Sequence, residues 1–307
     1  MKNIERYKHF NNYLKNKFGE RTLKICIDGG FTCPNRDGSK GVGGCIFCSA
    51  RGSGDHIKNY DISKQVQDYF QSYRSKRANR FIAYFQNFTN TYDCIDNLKM
   101  KYDSALIDDR IVALAVATRP DCICEDVVKL LKSYSKKYYV WVELGLQTSN
   151  DYTGNLINRC YSSEQFSSAV KLLNEYGIDV VTHIMIGLPN ETRNDLENTV
   201  AFINQHNIQG LKIHSCYVIK GTKLADMYTN KEYVPITLDE YLEEASKFVL
   251  KDGILVYAVR SVNLKEGKNI IDEFLKKHED FALVDSRQIY PYEFNSDGLY
   301  YAQIRKL

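Results

Sequence analysis

Three cysteines share one glycine-studded loop, Cys33-Pro-Asn-Arg-Asp-Gly-Ser-Lys-Gly-Val-Gly-Gly-Cys45-Ile-Phe-Cys48. Thiolate sulfur is a soft ligand that suits zinc or an iron–sulfur cluster, and both commonly take four protein ligands. No fourth cysteine stands at pair spacing: Cys26 falls inside an apolar, strand-like segment, and Cys94, Cys122, Cys124, Cys160 and Cys216 are scattered and read as ordinary thiols. Two arrangements follow. One is a three-thiolate site with an open position; the other is a zinc clip that stabilises the loop, with Cys26 or His56 as fourth ligand. Gly43 and Gly44 suit either, because glycine lets the backbone approach a bulky inorganic group.

The loop directly follows the segment holding Leu23, Ile25 and Ile27, so it belongs at the carboxyl end of a strand, where α/β folds place their chemistry. Strand-like and helix-like segments alternate from there, the pattern of parallel β/α units. The expected strands are Leu23 to Asp28, Arg80 to Phe85, Ile111 to Thr118, Tyr139 to Gly145, Asp179 to Ile186 and Gly210 to Val218. Amphipathic stretches at Ile62 to Tyr73, Ser162 to Tyr176 and Glu191 to His206 read as helices between them. Polar clusters close successive strands: Gln86-Asn87, Thr118-Arg119-Pro120-Asp121, Gln147-Thr148, Gly187-Leu188-Pro189-Asn190-Glu191 and Lys220-Gly221-Thr222. Polar groups gathered at one end of a sheet are the sequence image of a barrel active site, although Gly, Asn, Asp and Pro also punctuate ordinary turns. Leu238 to Lys251 reads as a further helix, followed by the apolar segment Ile254 to Val259 and a tail of weaker periodicity.

A chain of 307 residues, 44% hydrophobic and 26% charged, has the composition of a globular protein. Its longest apolar runs are too short for a membrane span and the polar, basic amino-terminal stretch lacks a signal-peptide core, which places the expected location in the cytoplasm. Nine cysteines without a secretion signal favour metal or redox use over disulfides. The net charge of +3 excludes a globally nucleic-acid-like chain, yet basic residues concentrate before Asp28. Between Asn59 and Arg80, Tyr60, Tyr69, Phe70 and Tyr73 interleave with Lys64, Arg74, Lys76, Arg77 and Arg80. Such a region suits phosphates and unpaired bases, or else is a solvated helix face with its rings packed inward.

The strand followed by Cys33-x11-Cys45-x2-Cys48 resembles the radical S-adenosylmethionine enzymes, in the branch that includes the catalytic subunit of Elongator. More narrowly, Gly30-Phe31-Thr32-Cys33-Pro34-Asn35-Arg36-Asp37-Gly38, Gly43-Gly44-Cys45-Ile46-Phe47-Cys48, Ser49 to Asp55, Thr118-Arg119-Pro120-Asp121, Leu144-Gly145-Leu146-Gln147-Thr148 and His183-x3-Gly187-Leu188-Pro189 are similar to the YhcC/YtqA family. Two stretches depart from the family pattern. Asn158-Arg159-Cys160-Tyr161 stands where members often have Asn-Arg-Gly-His, and near the carboxyl end only Arg260 matches a family segment.

The resemblance implies an α/β fold, an incomplete (β/α)6 barrel over residues 21–235, after a basic segment at 1–20 and before a C-terminal α/β extension, 236–307, packed on the barrel. It implies a [4Fe–4S] cluster on Cys33, Cys45 and Cys48, with the fourth iron free to chelate S-adenosylmethionine, whose reductive cleavage gives a 5′-deoxyadenosyl radical. By the same resemblance Gln86 and Asn87 present backbone to the methionine amino group, and the Arg119 fork pairs with the methionine carboxylate. Gln147 reaches the ribose, Glu143 supports it or faces the barrel interior, and Gly187 belongs to the cofactor-binding set. His183, Glu191, Lys212 and His214 are the candidate catalytic residues nearer the substrate.

The implied substrate is tRNA. The implied reaction takes 5-carboxymethylaminomethyluridine at the wobble position to 5-aminomethyluridine through hydrogen abstraction beside the side-chain nitrogen and release of a two-carbon acid fragment. Lys212 or Arg51 would hold the carboxylate. A reductant such as flavodoxin or ferredoxin and a tRNA methyltransferase are the implied partners. Two other readings stay in view: an enzyme of the same class acting on a small molecule or protein, with little salt dependence, and a non-catalytic zinc protein that binds RNA.

Overall fold

The computed structural model describes residues 10–52, 61–247, 249, 251–259, 261–294 and 298–307. His56, Tyr60, Arg260 and residues 1–9 and 53–55 lie outside the described residues. The described residues divide into two compact units, Phe10–Pro235 and Ile236–Leu307.

In the first unit six strands pair in parallel and in chain order: β1 (Thr22–Ile27), β2 (Arg80–Phe85), β3 (Ile111–Thr118), β4 (Tyr139–Gln147), β5 (Asp179–Ile186) and β6 (Gly210–Ser215). They form a curled half-barrel, the α/β architecture of an incomplete (β/α)6 barrel, with β1 and β6 as its outer strands. The helices are α1 (Phe10–Phe18), α2 (Ile62–Gln71), α3 (Ile95–Ala105), α4 (Glu125–Tyr134), α5 (Asp151–Leu156), α6 (Ser163–Glu175), α7 (Arg193–Asn204) and α8 (Lys223–Thr229). Strands covered on both faces are apolar throughout, and β3 is buried at every position but Val112.

Alternation divides each strand between the two faces. Ile82, Tyr84, Ala113, Ala115, Ala117 and Trp141 form one cluster with Leu14 of α1, and Phe18 packs against it. Three alanines on one face of β3 leave the room that α1 occupies. Tyr13 and Tyr139 share a hydrogen bond of 2.8 Å, which sets α1 at the amino-terminal end of β4. That end is therefore filled, and space remains toward the carboxyl ends.

Strand and helix limits differ from expectation where local chemistry intervenes. The helix expected from Glu191 starts at Arg193, because Thr192 caps it in a reciprocal box with Asp195. β4 runs on to Gln147 through a register shift against β5, whereas β6 stops at Ser215, short of Val218. The helix expected to reach Lys251 ends at Ser246, where the N–H of Lys247 closes back on Glu244 and Ala245.

Described by itself, the second unit is a three-stranded antiparallel sheet of β7 (Ile254–Val259), β8 (Phe281–Ile289) and β9 (Leu299–Lys306), in the order β7-β9-β8, with α9 (Leu238–Ser246) and α10 (Lys268–Lys277). Its core joins Leu242, Tyr257, Ile270, Ile271, Phe274 and Phe281 to Tyr300, Ala302 and Ile304.

Candidate active site

β1 delivers the chain into the cysteine loop at the carboxyl end of the sheet. Cys33, Cys45 and Cys48 line one cavity of about 400 Å³. Burial pushes the Cys45 thiol up to about 12, and its neighbours Cys48 and Cys33 push in the same direction while Arg119 and Asn35 oppose them. Asn35 Nδ2 donates toward Cys45 Sγ at 3.7 Å, and Arg119 Nη1 toward Cys33 Sγ at 3.9 Å. Arg36 Nη2 braces the far end of the loop by donating to the carbonyls of Cys48, at 3.1 Å, and Ser49, at 2.6 Å. Soft sulfurs that repel one another as thiolates, with N–H donors aimed at two of them, fit an iron–sulfur cluster. Among the described residues no three His, Cys, Asp or Glu side chains are grouped as a site for a single metal ion.

Deeper in the cavity β2, β4, β5 and β6 bring Tyr84, Glu143, His183, Lys212 and His214 together. Glu143 is the hub. Lys24 Nζ donates to its Oε1 at 2.7 Å, Trp141 Nε1 to the same oxygen at 3.2 Å, and Tyr84 donates to Oε2 at 2.8 Å. His183 Nε2 lies 2.8 Å and Lys212 Nζ 3.7 Å from Oε2. Burial works to raise the Glu143 pKa, but the His183 hydrogen bond and the two ammonium groups override it and hold the carboxyl far below its usual range. Burial lowers His183, and pushes His214 down to about 3 with help from His183 and Lys212. The imidazoles, with centroids 5.1 Å apart, are therefore neutral at pH 7. Two ammonium groups face one carboxylate, and the side chain of Lys212 is 39% exposed.

Of the residues singled out in the sequence, Gln86, Arg119, Gln147 and Glu143 line this cavity with the three cysteines, as do His183, Lys212 and His214. Gln147 sits at the β4 register shift with a φ of 65°, and its amide folds over Gly145, where a Cβ would stand 2.7 Å from Nε2. The Arg119 fork meets a carboxylate of the chain itself. Its Nε and Nη2 each donate to Asp121 at 2.9 Å, and Nη1 donates to the Arg159 carbonyl at 3.0 Å. With both prongs on Asp121, which Lys40 of the cysteine loop also pairs, Arg119 braces the loop and offers positive charge beside Cys33.

Asn87, Gly187, Glu191 and Arg51 are not among the lining residues. Asn87 is buried and donates to Asp28 Oδ2 at 2.8 Å. Gly187, with a φ of 83°, accepts from Tyr233 at 2.7 Å. Burial lifts the Glu191 carboxyl to about 7 against the opposing Thr148 hydrogen bond. Arg51 is exposed.

Sequence reasoning passed over Lys24, Tyr84, Tyr161 and Tyr217. A lysine in the middle of an apolar strand was the signal for the first; the others show only once the strands are in register. In the basic stretch after Asp61, Tyr69 and Phe70 pack against Phe81, with centroids 5.8 and 4.9 Å away. They are half-buried rings packed inward. Tyr73 is exposed beside Arg74, Lys76 and Arg77.

A half-barrel with a three-thiolate loop at its carboxyl edge is the frame of the radical SAM superfamily, whose model matches residues 33–203; a Radical_SAM C-terminal domain matches 208–252. This is a radical SAM enzyme, using a [4Fe–4S] cluster and S-adenosylmethionine. Within the superfamily the chain belongs to the YhcC/YtqA family: it is 40% identical to the uncharacterized protein YtqA of Bacillus subtilis over 242 residues, covering 78% of this chain and 75% of YtqA. A tRNA uridine(34) acetyltransferase of Methanocaldococcus jannaschii is 28% identical over 193 residues, 56% of this chain and 34% of that protein. In fold the chain is similar to the archaeal Methanocaldococcus infernus Elp3, with a TM-score of 0.58, 17% identity, and coverage of 87% of this chain and 71% of that one. No helix among the described residues is long and apolar enough to cross a membrane.

Proposed function

We propose that this radical SAM enzyme modifies the wobble uridine of tRNA in the cytoplasm, removing the carboxymethyl group from a carboxymethylaminomethyl side chain and leaving the amine. The observation that carries the reading is the charge of the inner cavity, where Lys212 lines the wall with its side chain 39% exposed and the carboxylate it approaches, Glu143, is already paired with Lys24 behind it. A cation left unbalanced in a partly desolvated site favours an anionic group on the substrate. The similarity to a tRNA uridine(34) acetyltransferase supports tRNA as the carrier.

Cys33, Cys45 and Cys48 would hold the cluster, which together with S-adenosylmethionine would supply the radical chemistry that takes a hydrogen atom from the substrate. The chain's own residues hold, orient and shield. Arg119 and Asn35 direct N–H groups at the sulfurs. Gln147 and Gln86 line the same cavity as the cysteines and would take the ribose and the methionine amino group. Lys212 Nζ receives the substrate carboxylate, and the uncharged imidazoles of His214 and His183 line the wall beside it. A flavodoxin or ferredoxin supplies the electron, and a tRNA methyltransferase takes the amine onward.

The test is anaerobic incubation of cluster-loaded protein with dithionite, S-adenosylmethionine and bulk tRNA lacking the downstream modification. The expected outcome is tRNA-dependent 5′-deoxyadenosine together with loss of the carboxymethyl mass from the wobble nucleoside. Retention of that group while 5′-deoxyadenosine accumulates overturns the substrate assignment. The open rim of the cavity favours a macromolecule over a small metabolite, since Tyr217 at its edge is 72% exposed.

A further inference from the structure

The stretch Asn158-Arg159-Cys160-Tyr161, notable in the sequence as a departure, touches every part of the cofactor side of the cavity. Toward the cysteine loop, the N–H of Ile46 donates to the Ile157 carbonyl at 3.1 Å. Asn158 Nδ2 donates to the carbonyls of Gly44, at 2.8 Å, and Val42, at 3.2 Å. Asn35, which reaches the Cys45 sulfur, also donates to the Asn158 carbonyl. Cys45 is thus held from both sides, through Gly44 and Ile46.

Toward β4, the fully buried Arg159 donates from Nη1 to the carbonyls of Leu146, at 2.8 Å, and Thr148, at 2.6 Å, which bracket Gln147. Its Nε donates to the Tyr161 carbonyl at 2.9 Å and its Nη2 to Asp151 Oδ1 at 2.6 Å. Gly154 of α5 makes room for it, since a Cβ there would stand 2.6 Å from Nη2. Tyr161 donates to the Gly145 carbonyl at 2.7 Å, and the guanidinium carbons of Arg119 and Arg159 each lie 4.7 Å from its ring centroid. Asn158 and Cys160 both adopt left-handed backbone, with φ of 55° and 61°. A bend of that kind in two non-glycine residues persists only where its surroundings over-determine it.

We propose that residues 157–161 are a positioning strut that sets Cys45 and Gln147 at a fixed distance from each other, so that cluster and S-adenosylmethionine are held in one register. The cysteine loop is braced internally, with the Gly44 N–H donating to the Asn35 carbonyl at 2.8 Å, but such bonds do not tie it to β4, and Gln147 sits on a left-handed turn that three carbonyl clamps from this segment hold in place. Partners of this kind orient the groups that bind a metal centre without touching it. The inference rests on Cys45 as a cluster ligand, not on the identity of the substrate.

The experiment compares full-length wild type, Asn158→Gly, Arg159→Lys and Cys45→Ser after anaerobic reconstitution. It measures iron per chain, melting temperature, the electron paramagnetic resonance spectrum of the reduced cluster with and without S-adenosylmethionine, and the affinity for S-adenosylmethionine by equilibrium dialysis. Asn158→Gly keeps the left-handed backbone but loses both side-chain donors. It is expected to melt and bind iron like wild type, to show a shifted spectrum once S-adenosylmethionine is added, and to bind it about tenfold more weakly. Arg159→Lys is expected to lose more affinity, because one ammonium cannot serve the two β4 carbonyls and also reach the Tyr161 carbonyl and Asp151. Wild-type spectra and affinity in Asn158→Gly overturn the strut, and so does outright unfolding of Asn158→Gly, which would make the segment a general support of the fold. Cys45→Ser separates the two levels: if it keeps the full cluster, the ligand assignment fails, whatever Asn158→Gly does.

Discussion

Glu143 holds a single negative charge against Lys24, His183 and Lys212 in a place only 2% exposed. Glu143→Gln leaves the two ammonium groups without that counter-charge, and removing one partner from a buried ion pair is expected to cost about 3 kcal/mol in urea unfolding. A loss below about 1 kcal/mol would mean that water already screens the lysines. Glu191 makes the opposite kind of prediction. Its carboxyl is raised from an ordinary 4.5 to about 7, so the folded state binds the proton more tightly than the unfolded chain. The associated stability is full below the unfolded value and is lost as pH rises through 7. Relative to wild type, Glu191→Gln should therefore gain melting temperature steadily between about pH 5 and pH 8. Parallel curves for the two proteins would show that the carboxyl titrates normally.

Among the elements, α1 and the cysteine loop each hang on one small feature. Leu14 is 2% exposed beneath the inner face of the sheet. Leu14→Ala is expected to cost about 3 kcal/mol through the cavity it opens, read by denaturant unfolding. In the loop, a Cβ on Gly41 would stand 2.2 Å from Asn35 Oδ1 and 3.0 Å from Cys160 Sγ. Gly41→Ala must therefore displace Asn35 from the Cys45 sulfur, and the measurable outcome is less iron bound per chain at an unchanged helical circular dichroism signal. The strands were legible because buried parallel strands are continuous apolar runs, and β2, β3 and β5 begin and end where those runs do. β8 and β9 were not: β9 buries every second residue, and a half-buried strand leaves only a weak signal in a polar tail. The Asp121 partner of the Arg119 fork went unread for a related reason. Sequence places Asp121 two residues on, but only the short turn after β3 aims both prongs at it.

At the scale of the whole molecule, the net charge of +3 sets no large field, so any hold on RNA is local. Tyr73, Arg74, Lys76 and Arg77 form one exposed basic stretch, and binding of tRNA through it is expected to weaken about tenfold between 50 and 200 mM salt, measured by filter binding. Salt-independent turnover would turn attention to a small-molecule or protein substrate. The sequence by itself determined three soft ligands after a strand and the order of apolar runs that specifies parallel β/α units, local facts of residue type and period, while cluster rather than zinc was what the family resemblance implied. What lies between those runs was decided only by the tertiary structure. Lys24, Glu143, His183 and Lys212 meet because β1, β4, β5 and β6 are in register on one face of a curled sheet. Residues 157–161 reach the cysteine loop across more than a hundred positions because Arg159 finds carbonyl partners at the end of β4 and Asn158 finds them in the loop. Hydrogen-bond partners that far apart leave no periodic mark on the chain; closing the half-barrel sheet around them is what selects them.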